Sequence, residues 1–248
     1  MAIIVDDERW RKNLIKLTIQ SGIHLQLHSD SICSACRYLH RYVNFMRTSP
    51  NNNQCHQDVG IVVSTALYIA IKTNENHHQL SELISSVHFH LKTIDQQDRE
   101  MINYDAFKIM DKDFDYWKIR DTITHFELIL LRILDFDLVL DLPHKYLIFY
   151  LKFLSNWIDK DFVVDRVFQL SWSILNDFIC YYPKSPRFES NQIALATLEI
   201  AMITIDPDLK KICSNKTSSH RDWYTNFDER LDSDSIENII CEIFKFYR

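Results

Sequence analysis

Residues 122–134 read Thr-Ile-Thr-His-Phe-Glu-Leu-Ile-Leu-Leu-Arg-Ile-Leu and continue as Asp-Phe-Asp-Leu-Val-Leu-Asp-Leu (135–142) and Pro-His-Lys-Tyr-Leu (143–147). The first stretch is apolar on most sides of a helix, which is typical of a segment enclosed by other helices. Glu127 lies in its middle, and a carboxylate there is costly to desolvate without a partner. Glu127 is therefore either satisfied inside the fold or offered to another protein.

The stretch 135–142 changes the period of the sequence. Phe136, Leu138, Leu140 and Leu142 alternate with mostly acidic residues. A period of two indicates an extended chain, in which alternate side chains point to opposite sides. We therefore predict an extended connector whose alternate side chains are buried.

Helical spacing of apolar residues fills most of the remaining chain. It predicts helices at 8–21, 30–47, 59–71, 79–90 and 113–134 before the connector, and at 144–158, 163–181, 191–205 and 235–247 after it. Asp234 is the cap candidate of the last helix, with Glu237 in the capping-box position. The helices 59–71 and 191–205 are too apolar to lie on a surface. The simplest architecture is all-α, with two similar bundles joined by the connector.

Composition excludes several classes of enzyme. Only two glycines occur, Gly22 and Gly60. Sheet turns and phosphate-binding loops consume glycine, so the count supports an all-helical fold and excludes the dinucleotide and P-loop motifs as well as Gly-x-Ser-x-Gly. The net charge of −6, without long basic runs, argues against nucleic acid as the main partner. No motif nominates a catalytic residue or a cofactor.

The eleven histidines and six cysteines make metal binding worth testing. Cys33-x-x-Cys36 falls inside a predicted helix, and no second pair completes a tetrahedral set. No His-Glu-x-x-His occurs, and no histidine is followed by aspartate. We predict no metal site and six reduced cysteines, since Cys180 and Cys241 also fall in helical, apolar settings.

The N-terminal residues and the hydropathy bear on location. Met1–Arg9 has no basic region and only a short apolar run, so we do not expect a signal peptide. No apolar segment is long and charge-free enough to predict a membrane span. Reduced cysteines favour the nucleus or the cytoplasm.

The order of elements resembles the cyclin family, whose members contain two five-helix cyclin boxes. The resemblance covers roughly residues 8–247 and is most specific over 114–157, including the runs Tyr-Trp-Lys-Ile-Arg-Asp (116–121), Glu-Leu-Ile-Leu-Leu-Arg-Ile-Leu-Asp-Phe (127–136) and Pro-His-Lys-Tyr-Leu (143–147). It implies an N-terminal box at 8–134, an extended linker at 135–143 and a C-terminal box at 144–247.

The resemblance also implies a kinase-binding site. In cyclins, a lysine at the end of the buried third helix and a glutamate of the fifth helix grip a protein kinase near its C-helix; Lys72 and Glu127 match them here. The family places two glutamates after this lysine, and only Glu75 matches one of them. The first helix reads Leu-Ile-Lys-Leu (14–17) in place of the substrate-docking motif, so no such patch is expected. The apolar part of the kinase surface would comprise Leu131, Phe136 and Leu138.

The implied function is a non-catalytic subunit that activates a cyclin-dependent kinase as a heterodimer. The implied partner is similar to cyclin-dependent kinase ten, and no nucleic acid, membrane or small-molecule ligand is expected. Three alternatives stay open: a cyclin-fold protein that binds DNA or a non-kinase partner, a small helical hydrolase, and a structural role in which Lys72 only ends its helix and Glu127 bonds within its own bundle.

Overall fold

The computed structural model describes residues 8–48, 58–95, 114–157, 161–182, 188–215, 222–228 and 230–247. The chain divides into two compact units, residues 1–140 and 141–248. The division falls inside the segment 135–143, but the ends of the two cyclin boxes stay a prediction. Cys55 lies outside the described residues.

The first unit is built around one apolar helix. Its helices are α1 (Glu8–His24), α2 (Ser29–Thr48), α3 (Val59–Thr73), α4 (Leu80–Asp95) and α5 (Phe114–Ile133). Helix α3 packs against each of the other four. The side chain of Asp58 caps its start by accepting a hydrogen bond from the Gly60 amide at 2.7 Å. All but one of the residues 62–71 are buried, as their all-round apolarity predicts.

Glycine is needed where α1 meets α2. A Cβ on Gly22 would lie 2.6 Å from Cγ1 of Ile32, well inside van der Waals contact. Gly22 is buried, so a larger side chain there would have to displace the side chain of Ile32 on the neighbouring helix. One of the two glycines in the chain is thus used for close helix packing.

The second unit repeats the central-helix design. It contains α6 (His144–Leu154), α7 (Asp161–Tyr181), α8 (Ser190–Ile205), α9 (Pro207–Asn215) and α10 (Ser233–Phe246), with a short 3-10 helix at Trp223–Asn226. Helix α8 packs against the other four α-helices. Its residues 193–202 are all buried, including Glu199, whose carboxylate accepts a hydrogen bond from Trp223 Nε1 at 2.6 Å. This bond satisfies a carboxylate that would otherwise be costly to bury.

The all-helical prediction is confirmed, because every element in the described residues is a helix. Three details of the sequence-based prediction were wrong. Helix α9 was not predicted; it begins at Pro207, and proline suits the first position of a helix. The cap of α10 is Asp232 rather than Asp234, because the Asp232 side chain accepts the Ser235 amide at 2.9 Å. Cys241 is exposed, although Cys33, Cys36, Cys180 and Cys213 are buried.

Candidate protein-binding site

The structure brings Lys72 and Glu127 together across α3 and α5. Nζ of Lys72 lies 2.7 Å from Oε1 and 3.0 Å from Oε2 of Glu127. The Glu127 side chain is only 14% exposed, whereas that of Lys72 is 48% exposed. Lys72 Nζ also lies 3.9 Å from the centre of the Tyr68 ring, in cation–π geometry. The ammonium is thus held between an aromatic face and a carboxylate, with part of its surface open to solvent.

The pair retains unused hydrogen-bonding capacity. An ammonium has three donors and a carboxylate about four acceptor positions, of which the ion pair uses only some. A partner could therefore offer a backbone carbonyl to Lys72 and an N–H group to Glu127 without breaking the pair. Such charge-assisted bonds are stronger than neutral ones.

The loop after α3 is fixed by its own hydrogen bonds. The Asn76 amide donates to the Ile71 carbonyl at 2.9 Å, which closes the end of the helix, and Glu75 adopts a left-handed conformation with φ 55°. The side-chain amides of Asn74 and Asn76 both donate to the Ser31 hydroxyl, at 3.1 and 2.6 Å. Glu75 is therefore presented, exposed, on an ordered turn three residues after the ion-paired lysine.

The end of α5 is closed in the same way. The Phe136 amide donates to the Leu131 carbonyl at 2.9 Å, and both Asp135 and Phe136 are left-handed, with φ 53° and 56°. Aspartate tolerates this conformation, whereas a bulky residue such as phenylalanine rarely adopts it. The cost is about 1–2 kcal/mol per residue. Phe136 is 64% exposed, so the prediction that its side chain is buried in an extended connector was wrong.

Partly or largely exposed apolar side chains lie on α5 and on the segment that follows it. Leu131 lies one helical turn after Glu127 and is half-buried. Leu128 is 56% exposed. Leu138, in the segment that follows the helix, is half-buried, and Val139 beside it is almost fully exposed. A charged pair beside exposed apolar side chains suits a protein partner better than a small molecule.

Two residues of α2 hold the segment that follows α5. Arg41 donates from Nη2 to the Leu134 carbonyl and from Nη1 to the Asp137 carbonyl, both at 2.8 Å. The Tyr38 hydroxyl donates to the Leu138 carbonyl at 2.8 Å. Burial raises the pKa of the Tyr38 phenol, so the group stays neutral and able to donate.

The family resemblance named Lys72 and Glu127 as site residues, but the sequence did not predict that they bond to each other, and some of their surroundings were missed. Tyr68 precedes Lys72 by one helical turn and Leu128 follows Glu127 directly, so helical spacing could have found both. Arg41 and Tyr38 gave no such signal, because they meet their partners 96 and 100 residues away.

The described residues contain no group of three or more histidine, cysteine, aspartate or glutamate side chains placed to hold a metal ion. Nor does any helix in those residues have the length and apolarity to cross a membrane.

Residues 5–139 match the family described as the cyclin N-terminal domain. Cyclin-K of Danio rerio is 24% identical over 243 residues, which cover 97% of this chain and 50% of that protein. Cyclin pch1 of Schizosaccharomyces pombe is 23% identical over 222 residues, which cover 87% of this chain and 58% of that protein. The chain thus spans about half the length of these relatives.

The fold is similar to that of a chain in the crystal structure of the yeast RNA polymerase II CTD kinase CTDK-1 complex. The TM-score is 0.59 and the identity 18%, over 97% of this chain and 66% of that chain. At this identity the likeness establishes the fold alone.

Proposed function

Because the chain belongs to the cyclin family, we propose that it is the regulatory subunit of a cyclin-dependent protein kinase. The observation that carries the proposal is the Lys72–Glu127 ion pair, ordered and partly open beside exposed apolar side chains. The kinase-binding surface comprises residues on the ends of α3 and α5 and on the segment after α5: Lys72, Glu75, Glu127, Leu131, Phe136 and Leu138.

The charged part of this surface gives orientation and the apolar part gives most of the affinity. Lys72 and Glu127 bind backbone groups near the C-helix of the kinase through charge-assisted hydrogen bonds. Phe136 loses its exposed ring surface on binding, and burying a phenylalanine fully contributes about 1.5–3 kcal/mol. Leu131 extends the apolar contact along α5.

Activation follows from a population shift in the kinase. The chain binds the conformation in which the C-helix glutamate pairs with the ATP-site lysine, as phosphoryl transfer requires. The catalytic residues and the ATP belong to the partner, so this chain is not itself an enzyme and needs no cofactor.

The finer assignment concerns the partner. The runs within 114–157 resemble cyclin Q, which favours a kinase similar to cyclin-dependent kinase ten. The relatives named Cyclin-K and the likeness to a subunit of a CTD kinase complex favour a transcription-associated kinase. A nuclear location suits either partner.

Mixing experiments test the proposal. The purified chain should transfer no phosphate by itself, but should activate cyclin-dependent kinase ten or a CTD kinase when mixed with the monomeric kinase and a peptide substrate. If the active conformation rises from about 1% to nearly full occupancy, activity rises ~100-fold. ATP turnover by the isolated chain, or no activation of any kinase of this class, would refute the proposal.

A further inference from the structure

We propose that Arg41 and Tyr38 are positioning residues that hold the segment after α5 so that Phe136 is presented to the kinase. The inference rests on the proposed function and adds two residues that do not themselves belong to the kinase-binding surface. It concerns the ordering of one segment, 134–138, before the partner arrives.

The hydrogen bonds of Arg41 enclose the two left-handed residues. Its guanidinium donates to the Leu134 carbonyl, just before Asp135 and Phe136, and to the Asp137 carbonyl, just after them. It also reaches Oδ2 of Asp137 at 3.3 Å. The planar fork of a guanidinium suits two fixed acceptors at once, because its donors are held in one plane.

Tyr38 extends the same restraint by one residue. Its side chain is fully buried, and its hydroxyl bonds to the Leu138 carbonyl. Tyr38 and Arg41 lie three residues apart on α2, and so on the same side of that helix. Three carbonyls of the segment are thereby tied to one helix face, at residues 134, 137 and 138.

The segment gains little from this conformation by itself. Phe136 remains 64% exposed and Val139 87% exposed, so its apolar side chains are not placed to be buried within this unit. Bulky residues in left-handed conformations persist only where the surrounding structure enforces them, and such residues cluster at binding sites. Arg41 and Tyr38 supply that enforcement.

Order in the unbound chain benefits binding. A loop that is already in its bound conformation loses less conformational entropy when the partner docks. Removing the restraint should therefore weaken kinase binding through Phe136, although neither Arg41 nor Tyr38 touches the kinase.

The experiment compares variants by their kinase affinity and thermal stability. Arg41→Gln removes the guanidinium fork, and Tyr38→Phe removes only one hydroxyl. Arg47→Gln is the matched control, since it removes the same charge from an exposed position of the same helix. Each of the two test changes is also made in a Phe136→Ala background.

Arg41→Gln should weaken kinase binding roughly tenfold, and Tyr38→Phe by a smaller factor, with Arg47→Gln unchanged. In the Phe136→Ala background, neither change should weaken binding further by more than about threefold, because both act through that ring. Arg41→Lys, which retains the charge and one donor group, should restore part of the affinity. Full additivity with Phe136→Ala, or unchanged affinity of Arg41→Gln, would overturn the proposal.

Hydrogen exchange on the chain alone separates this inference from the proposed function. The amides of Asp135, Phe136 and Asp137 should exchange faster in Arg41→Gln than in wild type, while amides in the middle of α3 do not change. Unchanged exchange would overturn the positioning role whether or not a kinase binds. Failure of the wild-type chain to bind any cyclin-dependent kinase would instead refute the proposed function.

Discussion

Truncation of Glu127 distinguishes a partner-binding ion pair from one that only stabilises the fold. Glu127→Ala leaves the ammonium of Lys72 without its carboxylate. Since the Lys72 side chain is 48% exposed, water can solvate it, and it remains over the Tyr68 ring. The structural loss is therefore that of a surface ion pair, about 1 kcal/mol or less. A fully buried lysine would instead have lost about 3–5 kcal/mol.

The effect on kinase binding should be much larger. Removing one member of a desolvated, hydrogen-bonded charge pair at an interface costs about 2–5 kcal/mol, or from roughly 30-fold to several thousand-fold in Kd. Lys72→Ala should act in the same direction. If the two residues bind the kinase as a unit, Lys72→Ala combined with Glu127→Ala should cost less than the sum of the single changes.

The assay is a pair of measurements on the same proteins: a thermal melt of the chain alone and the Kd for the kinase. For a protein of this size, 1 kcal/mol shifts Tm by about 2–4 °C. Glu82→Ala is the control, because Glu82 is an exposed glutamate 3.7 Å from His78 in another surface pair. It should leave the Kd unchanged and cost about 1 kcal/mol or less in the melt, because Glu82 also accepts the Gln79 backbone amide at 3.4 Å at the start of α4.

Two results would contradict this reasoning. A Glu127→Ala protein that melts more than about 8 °C below wild type would mean that the pair mainly stabilises the fold. Normal kinase binding by the same variant would remove Glu127 from the interface.

Three further predictions follow from other residues. Phe136→Gly should weaken kinase binding but leave Tm unchanged or slightly raised, because glycine adopts φ 56° without strain. Gln26→Gly, at φ 54°, is the control: its Tm should change in the same way, and its kinase binding should be normal. Asp228→Asn should destabilise the chain by about 1–3 kcal/mol at pH 7. Burial opposes ionisation of Asp228, but hydrogen bonds from Arg230 outweigh it and hold the pKa of Asp228 below its ordinary value. The stabilisation is therefore fully present above the unfolded-state pKa and is lost as pH falls through the folded-state pKa. Melts of wild type and variant should begin to approach each other below about pH 4 and converge only below the folded-state pKa. All six cysteines should react with a thiol reagent after unfolding without reductant, and elemental analysis should find no stoichiometric zinc.

The core was predictable because it depends on local patterns. The all-round apolarity of 59–71 and 191–205 indicated the two central helices, and the structure buries them as α3 and α8. Apolar spacing is a property of neighbouring residues, so it can be read without knowing the fold. Where helices begin is less predictable, as the missed helix α9 and the N-terminal cap of α10 illustrate.

The candidate site was only partly predictable, since its geometry depends on distant residues. Sequence identified Glu127 as a carboxylate in need of a partner, but Lys72, 55 residues away, could be matched to it only through the family resemblance. Alternation of apolar and acidic residues suggested that Phe136 is buried. The structure instead closes α5 with a left-handed turn, and Arg41 stabilises that turn from another helix.

The rarity of glycine gives these turns a functional meaning. Glu75, Asp135 and Phe136, like Gln26, occupy left-handed positions where glycine would be least strained, and the chain has only two glycines. A side chain kept at such a position costs stability, and such residues cluster at binding sites, although the position alone assigns no task, as the control residue Gln26 illustrates. Glu75 and Phe136 are both exposed and both belong to the proposed kinase-binding surface. Partner recognition would then explain the backbone strain at the ends of α3 and α5. The chain gives up stability there to hold a carboxylate and an aromatic ring in place before the kinase arrives.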